Sequence, residues 1–453
     1  MSRISMEVVN PHAAGIDVGS RFHMVAVGPN KDEDVEKFGI YTSDHESMII
    51  WLKERGVTTI AMESTGSYWQ TLFSALQIAG FEVLLVNGAQ TRNANGKKTD
   101  VSDCMEIQKR HSLGLLYGSF IPGEFTEQLR TYYKHREHIV QQLAKYTNKL
   151  QKALRLMNIR LDVAISDVNG KSGKLITKAI IAGQRDPLVL ASLADKRVKK
   201  SQEEIALSLQ GNWREDLLFE VKECVELYDF FESKLAQIDQ RLEEVLSQVN
   251  ITVGVPISLK SEIKKNRTKN SPRFDVQSLA YAHYGVDLSA IPSLSHGTLL
   301  CLLTNLTKDE FKKFSSHKHF ISWMRLAPNN KITGGKVVSS RTPKSKNPVA
   351  LALRQVANSI GNMKEHIMHG YFRRIAYKKG RGAAITATAR KLGVIIYNMI
   401  TRQEPYQLPD LTQSILSHKK YQLKNIKKQL SKLNLSQDEL LELIVNPCKP
   451  IAF

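Results

Sequence analysis

Over its first 120 residues the chain alternates short apolar β-forming runs with helical stretches, a pattern that confines this part to an α/β sheet. Ala14-Gly15-Ile16-Asp17-Val18 and Phe22-His23-Met24-Val25-Ala26-Val27 read as two strands joined by a Gly19-Ser20 turn. A helix is expected over Glu46–Arg55, a strand over Thr58–Met62, a helix over Tyr68–Ala79 and a strand over Phe81–Val86. The stretch Gly96-Lys97-Lys98-Thr99-Asp100-Val101-Ser102-Asp103-Cys104 then opens another helix. Its apolar positions include Met105, Ile107, Leu113, Leu115 and Leu116, and Thr99 is its expected N-cap.

Carboxylates recur where these elements begin or end. Asp17 stands inside a strand whose neighbours should be buried, which is costly unless it is paired, hydrogen-bonded or on a metal. Hydrogen bonds from turn amides around Gly19 and Ser20 would also satisfy it. Glu63 stands where an apolar strand meets Ser64-Thr65-Gly66-Ser67. Asp100 and Asp103 are three residues apart, so on a helix they share a face and repel unless a cation or proton lies between them. Magnesium is the usual answer, because it takes carboxylate oxygens and keeps waters for phosphates. Taken alone, the same pair reads as an acidic first turn that complements the helix dipole. Ligands collect at strand ends in α/β sheets. Asp17, Glu63, Asp100 and Asp103 could therefore converge, and four such carboxylates suit a two-metal phosphoryl-transfer site.

The remainder of the chain favours a polyanionic partner. Its 453 residues suffice for roughly two to four domains, and 42% are apolar, as in ordinary globular proteins. A formal charge of +20 makes nucleic acid the first candidate partner. A membrane surface is the competing polyanion, but no run of eighteen apolar residues is present, and Met1 to Asn10 lack the apolar core of a signal peptide. Cys104, Cys224, Cys301 and Cys448 lie far apart, without metal-ligand spacing, as expected of thiols in a reducing cytosol.

Beyond Pro122-Gly123, Ile139, Leu143, Tyr146, Leu150, Leu154 and Met157 form an a/d-like stripe. A second stripe runs through Val221, Val225, Tyr228, Phe231, Leu235, Ile238, Leu242 and Val245. Two such helices imply an antiparallel pair or a coiled coil between subunits. Lys196-Arg197-Val198-Lys199-Lys200 is a basic run between the stripes, and Ser258 to Pro272 reads as a basic linker. Further on, Asn329 to Thr342 holds Gly334-Gly335, several hydroxyls, and Lys331, Lys336 and Arg341, which suits a phosphate; an ordinary Gly-Gly hairpin is the alternative. Downstream, Arg373, Arg374, Lys378, Lys379, Arg381 and Arg390 interleave with Tyr371, Phe372 and Tyr377, a pattern suited to DNA or RNA. After Pro405 the tail is Lys-rich, including Lys419, Lys420, Lys424, Lys427 and Lys428.

Gly15-Ile16-Asp17, Met62-Glu63-Ser64-Thr65-Gly66 and Lys98-Thr99-Asp100-Val101-Ser102-Asp103 together resemble the motifs of the DEDD-type insertion-sequence transposases. That family includes the Piv-type invertases and the bridge-RNA-guided recombinases. The resemblance implies a RuvC-like domain of the ribonuclease H class, with magnesium on Asp17, Glu63, Asp100 and Asp103. It also implies a C-terminal transposase domain whose loop carries a nucleophilic serine directly before a Gly. The matching residue here is Thr333, a departure from that pattern whose extra methyl crowds the attack. Thr333 is favoured as the nucleophile, with Ser339 and Ser340 as the alternatives.

The expected architecture is α/β plus mainly α: a RuvC-like domain over 1–120, a helical coiled-coil region over 121–285, a mainly helical transposase domain over 286–406 and a basic helical tail over 407–453. The thiols and the N-terminal residues point to the cytoplasm, and the resemblance implies a magnesium-dependent recombinase acting on element ends and target DNA, guided by an element-encoded RNA and assembled as a dimer or tetramer. Lys331, Lys336, Arg341, Arg373, Arg374, Lys378, Lys379 and Arg381 are its candidate nucleic-acid contacts. A RuvC-like nuclease using water as nucleophile is the alternative, and a non-catalytic nucleic-acid-binding protein is a third class.

Overall fold

The computed structural model describes residues 7–31, 33–64, 66–91, 99–248, 268–407, 420 and 423–426. Outside the described residues lie Gly96-Lys97-Lys98, the 258–267 part of the basic linker, Lys419, Lys427 and Lys428 of the tail, and Cys448. The chain divides into two compact units after Gly123.

The N-terminal unit is built on one sheet of five strands: β1 (Ala13–Val18), β2 (His23–Ala26), β3 (Val35–Phe38), β4 (Thr59–Glu63) and β5 (Glu82–Val86). Their order is β3-β2-β1-β4-β5, with β1, β2 and β3 antiparallel in turn and β1, β4 and β5 parallel. Parallel neighbours need crossovers. Helix α1 (Thr42–Glu54) leads into β4, and α2 (Trp69–Ile78) joins β4 to β5. A short helix α3 (Gly88–Thr91) and the longer α4 (Asp100–Ser112) follow. The strand alternation splits the sheet into two faces. Ile16, Val25, Ile60 and Met62 pack with Met48 and Leu52 of α1 and with Leu72 and Leu76 of α2. Ala61 and Val86 on the other face meet Ile107 of α4, and Met24 and Ala26 meet its Cys104. Strand β3, which the alternation of apolar runs did not reveal, carries Glu36 and Lys37 exposed at the sheet edge.

His23 of β2 and His45 of α1 are buried with ring centroids 5.6 Å apart. Burial, with the neighbouring His45, holds the His23 pKa down at about 4; burial also lowers that of His45, against the attraction of Asp44.

The C-terminal unit begins with α5 (Glu124–Leu156) and continues through α6 (Leu161–Ala164), α7 (Lys171–Ile181), α8 (Pro187–Ser192) and α9 (Gln202–Ser208) to α10 (Glu215–Ser247). Helices α5 and α10, 33 residues each, lie antiparallel: Tyr132 meets Arg241, Arg136 meets Asp239, and Tyr146 stacks on Phe231. Both apolar stripes are thus packed within one chain. Ile139, Leu143, Leu150 and Leu154 are buried, as are Val221, Val225, Tyr228, Leu235, Ile238, Leu242 and Val245. Helices α6 to α9 close the end of this pair around Ile159, Ile176, Ile180, Leu190 and Ile205.

Arg136 and Asp239 form a buried ion pair at 2.6 Å, with side chains 3% and 2% exposed. Arg136 also donates to the carbonyl of Asn270, and Asp239 accepts from the backbone N–H of Arg273, so the pair pins residues 270–273 to the two long helices.

The unit ends with α11 (Val276–Tyr284), α12 (His296–Asn305), α13 (Lys308–Lys312), α14 (His317–Trp323), a hairpin of β6 (Lys331–Thr333) and β7 (Lys336–Ser339), α15 (Pro348–Asn362), α16 (His369–Lys379) and α17 (Arg381–Arg402). Helix α12, buried from Thr298 to Asn305, packs on α5, α11 and α15, while α17 packs on α13 to α16. Among the described residues no helix is long and apolar enough to cross a membrane.

Two predictions follow from these buried charges. Between pH 6.5 and about 4 the unfolded chain binds a proton that folded His23 refuses, so stability falls as pH falls through that window. The loss should approach 3 kcal/mol (about 1.4 per pKa unit) at the acid end. Urea unfolding followed over that range should show it, and His23→Gln should make the slope shallower, the part left coming from other buried histidines such as His45 and His111. Asp239→Ala should destabilise the C-terminal unit by about 3–5 kcal/mol, because it strands a buried guanidinium. Pairing it with Arg136→Met should restore most of that loss in the same unfolding assay.

Candidate active site

Gly15 lies in the middle of β1, where α4 crosses it: a Cβ there would overlap the backbone of Cys104 and Gln108. That close approach, which only glycine permits, sets α4 directly on the sheet. Asp17 is two residues along the strand and so on the same face. The parallel pair Ile16–Met62 makes Asp17 and Glu63 the next residues on adjacent strands, at their C-terminal ends. Glu63 shares its face with Ala61, which also packs toward α4.

Helix α4 begins over this edge. Thr99 caps it: its side chain accepts from the N–H of Ser102, while the Ser102 hydroxyl accepts from the N–H of Thr99. Asp100 is exposed and Asp103 half-buried in the first turn. Cys104 is fully buried behind them. Burial pushes its thiol up to about 12, reinforced by the charges of Asp17 and Asp103. One buried sulfur thus feels a carboxylate from the strand and another from the helix.

Glu63 has a partner that the sequence did not disclose. Its Oε2 accepts from the Thr91 hydroxyl at 2.6 Å, and a Cβ on Gly88 would collide with its carboxylate. No motif marks Thr91; only the turn after β5 brings it beside β4. Asp17 and Glu63 on one face of the sheet, and Asp100 and Asp103 in the first turn of α4, are hard oxygen donors of the kind magnesium takes. Among the described residues, no three acidic, His or Cys side chains form a group that could hold an ion.

Thr333 lies in the C-terminal unit. It pairs with Lys336 across a two-residue turn in which Gly334 and Gly335 have φ of +55° and +74°. Tight hairpin turns favour positive φ at both central residues, hence two glycines. The loop is therefore a Gly-Gly hairpin with Thr333 exposed at its tip, and Lys331, Lys336 and Arg341 are exposed around it. Ser339 and Ser340 stand at its base. They line, with Arg341, an open groove of about 950 Å³ whose other wall comes from α16 and α17.

Arg373, Arg374, Lys378 and Lys379 are exposed on α16. Arg381 differs from them: its guanidinium donates to the side-chain oxygens of Asn358 and Asn362, tying α17 to α15. Phe372, read from the sequence as a contact residue, is buried against Gly361. Tyr377 is 93% exposed, and Tyr371 lines the groove.

Comparison with protein families gives two matches. Residues 14–159 match the DEDD transposase model of IS110, and residues 287–372 match the transposase IS116/IS110/IS902 family model. The first contains all four carboxylates and the second contains Thr333, Ser339, Ser340 and Arg341. No curated protein matches the chain.

Gly15→Ala should force α4 off β1 and cost roughly 1–3 kcal/mol in thermal unfolding, as overpacking of a tight contact does. Gly123→Ala, where the added methyl meets open space, should leave the melting curve unchanged.

Proposed function

The chain belongs to the IS110 family of transposases, enzymes that cut and rejoin DNA, and we propose from that premise that it does so through a covalent step at Thr333 assisted by Asp17, Glu63, Asp100 and Asp103. The observation that carries this reading is the placement of two carboxylates at adjacent strand ends, beneath a helix whose first turn brings two more. The strand order β3-β2-β1-β4-β5 supports the RuvC-like, ribonuclease H-class assignment of the first domain. The four-part division at residues 120, 285 and 406 remains our proposed domain scheme.

Magnesium bound by those carboxylates would favour the alkoxide of the attacking hydroxyl and offset charge on the scissile phosphate. The chain's own residues do the rest. The Thr333 oxygen bonds to phosphorus as the bond from phosphorus to a deoxyribose oxygen breaks, and that oxygen leaves as a hydroxyl with the proton given up by Thr333. Exposure of Thr333 on a hairpin flanked by Lys331, Lys336 and Arg341 suits contact with a backbone phosphate. From the family resemblance we further propose an element-encoded guide RNA, which would account for positive charge beyond the DNA contacts, and a cytoplasmic homo-oligomer.

Incubating the protein with element-end DNA, co-expressed flanking RNA and magnesium should yield a protein–DNA adduct on a denaturing gel, with peptide mapping placing it at Thr333. Thr333→Ala should abolish the adduct and Thr333→Ser should retain it. Asp17→Asn should reduce it by at least about a hundredfold, the scale of losing a group that stabilises the transition state. Nicked DNA without an adduct would instead favour water as the nucleophile, and an adduct at Ser339 or Ser340 would move the nucleophile to the groove.

A further inference from the structure

The groove at the base of the hairpin has walls of two chemistries. From the hairpin side come Val338 and Arg341; from α16 come Tyr371, Ile375 and Lys379; from α17 comes Arg390. The α17 wall is otherwise made of small residues, Gly382, Ala383, Thr386 and Ala387, which leave room above the helix. No carboxylate lines the groove among the described residues. The surrounding sequence agrees: from Phe311 to Gln403 there are nineteen Lys and Arg, and Glu365 is the single acidic residue. Lys391 and Arg374 stand over the Tyr371 ring, 4.8 and 5.8 Å from its centroid, bringing two further cations to the edge.

Cations alone would fit any polyanion, but the apolar and aromatic wall selects among them. A duplex keeps its base faces stacked inside and offers the protein phosphates, sugars and groove edges. Such a surface has no use for a recess lined by Val338, Ile375 and Tyr371. An unpaired strand exposes base faces, which stack on aromatic rings while its phosphates follow nearby cations. A cavity of about 950 Å³ lies at the upper end of the range for small-molecule sites, roughly 300–1,000 Å³, so it suits a few nucleotides. We propose that this groove is a subsite for unpaired nucleotides, with a base stacking on Tyr371 in place of one of the flexible cations over its ring, and phosphates on Arg341, Lys379 and Arg390. The inference rests on the nucleic-acid reading above and deepens it. Strand exchange must at some stage hold bases out of their duplex, and the groove would do so beside the hairpin that bears Thr333.

Fluorescence anisotropy on the full chain tests this with three probes of matched length: a deoxythymidine oligonucleotide, a uridine oligonucleotide and a blunt DNA duplex. Tyr371→Ala should weaken single-strand binding about tenfold, the scale of one lost base–aromatic stack, and duplex binding less than about twofold. Tyr371→Phe should bind like the parent. Ala383→Leu, which fills the groove and removes no charge, should also weaken the single strand selectively. Preference for the uridine probe would assign the groove to RNA, and preference for the deoxythymidine probe to DNA; either supports it. Equal weakening of duplex and single strand, or no effect of either Tyr371→Ala or Ala383→Leu, would overturn it. Adduct formation, measured separately, keeps the two readings apart. An intact adduct without single-strand selectivity sinks the groove alone, whereas selectivity without an adduct sustains the groove and sinks the covalent step.

Discussion

The close packing of α4 on β1 is the constraint on which the N-terminal unit depends. Helices and sheets ordinarily keep side chains between their backbones. Here Gly15 removes one, and the helix settles until the Cys104 and Gln108 backbone leaves no room for a Cβ. The consequences run outward in both directions. Toward the helix start, the approach carries Asp100 and Asp103 over the strand ends that bear Asp17 and Glu63. Toward its end, buried His111 bonds to Thr59 on β4 at 2.9 Å, locking the helix against rotation. A helix fixed at both ends of its contact cannot roll, so its first-turn carboxylates keep their height above the sheet. The Thr99 cap fixes where that turn begins.

Such a device concentrates negative charge. Carboxylates gathered at one edge destabilise each other unless cations or protons intervene. The unit tolerates this arrangement because its members are held by different means: Asp100 remains exposed, Glu63 accepts from Thr91, and Asp17 and Asp103 are half-buried. Catalytic carboxylates are often arranged so, at some expense in stability, because that expense falls when the ligand arrives. The C-terminal unit solves the opposite problem. Its Arg136, buried between two long helices, is matched by Asp239 and the Asn270 carbonyl, while Asp239 also accepts from the Arg273 N–H, so the charges are used up internally. Among the described residues the exposed cations of α16 and the hairpin have no carboxylate partner within salt-bridge distance, which suits them to a polyanion.

Much of the first unit was legible because its signals are local. The Gly-Ser turn after β1, the apolar run of β4 and the Thr99 cap each act within a few residues, and each element formed within a few positions of its expected bounds. The same holds for the stripes of α5 and α10, whose burial follows from period alone. Strand β3 was not legible, since an edge strand with Glu36 and Lys37 exposed has no apolar alternation to read. The helices α6 to α9 were silent for a similar reason: they span 4 to 11 residues, too few turns for a stripe. What sequence could not give at all were contacts between distant residues. Arg136 and Asp239 are 103 positions apart, and Thr91 and Glu63 are 28 apart with no shared motif.

The hairpin shows how a legible motif can still mislead about place. Gly334-Gly335 with its flanking cations suggests a phosphate cradle, with a tight turn as the alternative, because both exploit glycine's access to positive φ. The loop forms a tight turn, which lifts Thr333 to the tip while leaving Ser339, Ser340 and Arg341 at the base. A two-stranded ribbon is marginally stable by itself. This one leaves Ile332 61%, Val337 58% and Val338 70% exposed, while Lys331 and Lys336 flank it with positive charge. Apolar residues so exposed gain stability when covered, and the adjacent cations favour an anionic cover over a basic one. The hairpin that bears Thr333 would therefore gain stability from such a cover. On the proposed reading, the residues that would gain this cover are the ones that flank the Thr333 hydroxyl.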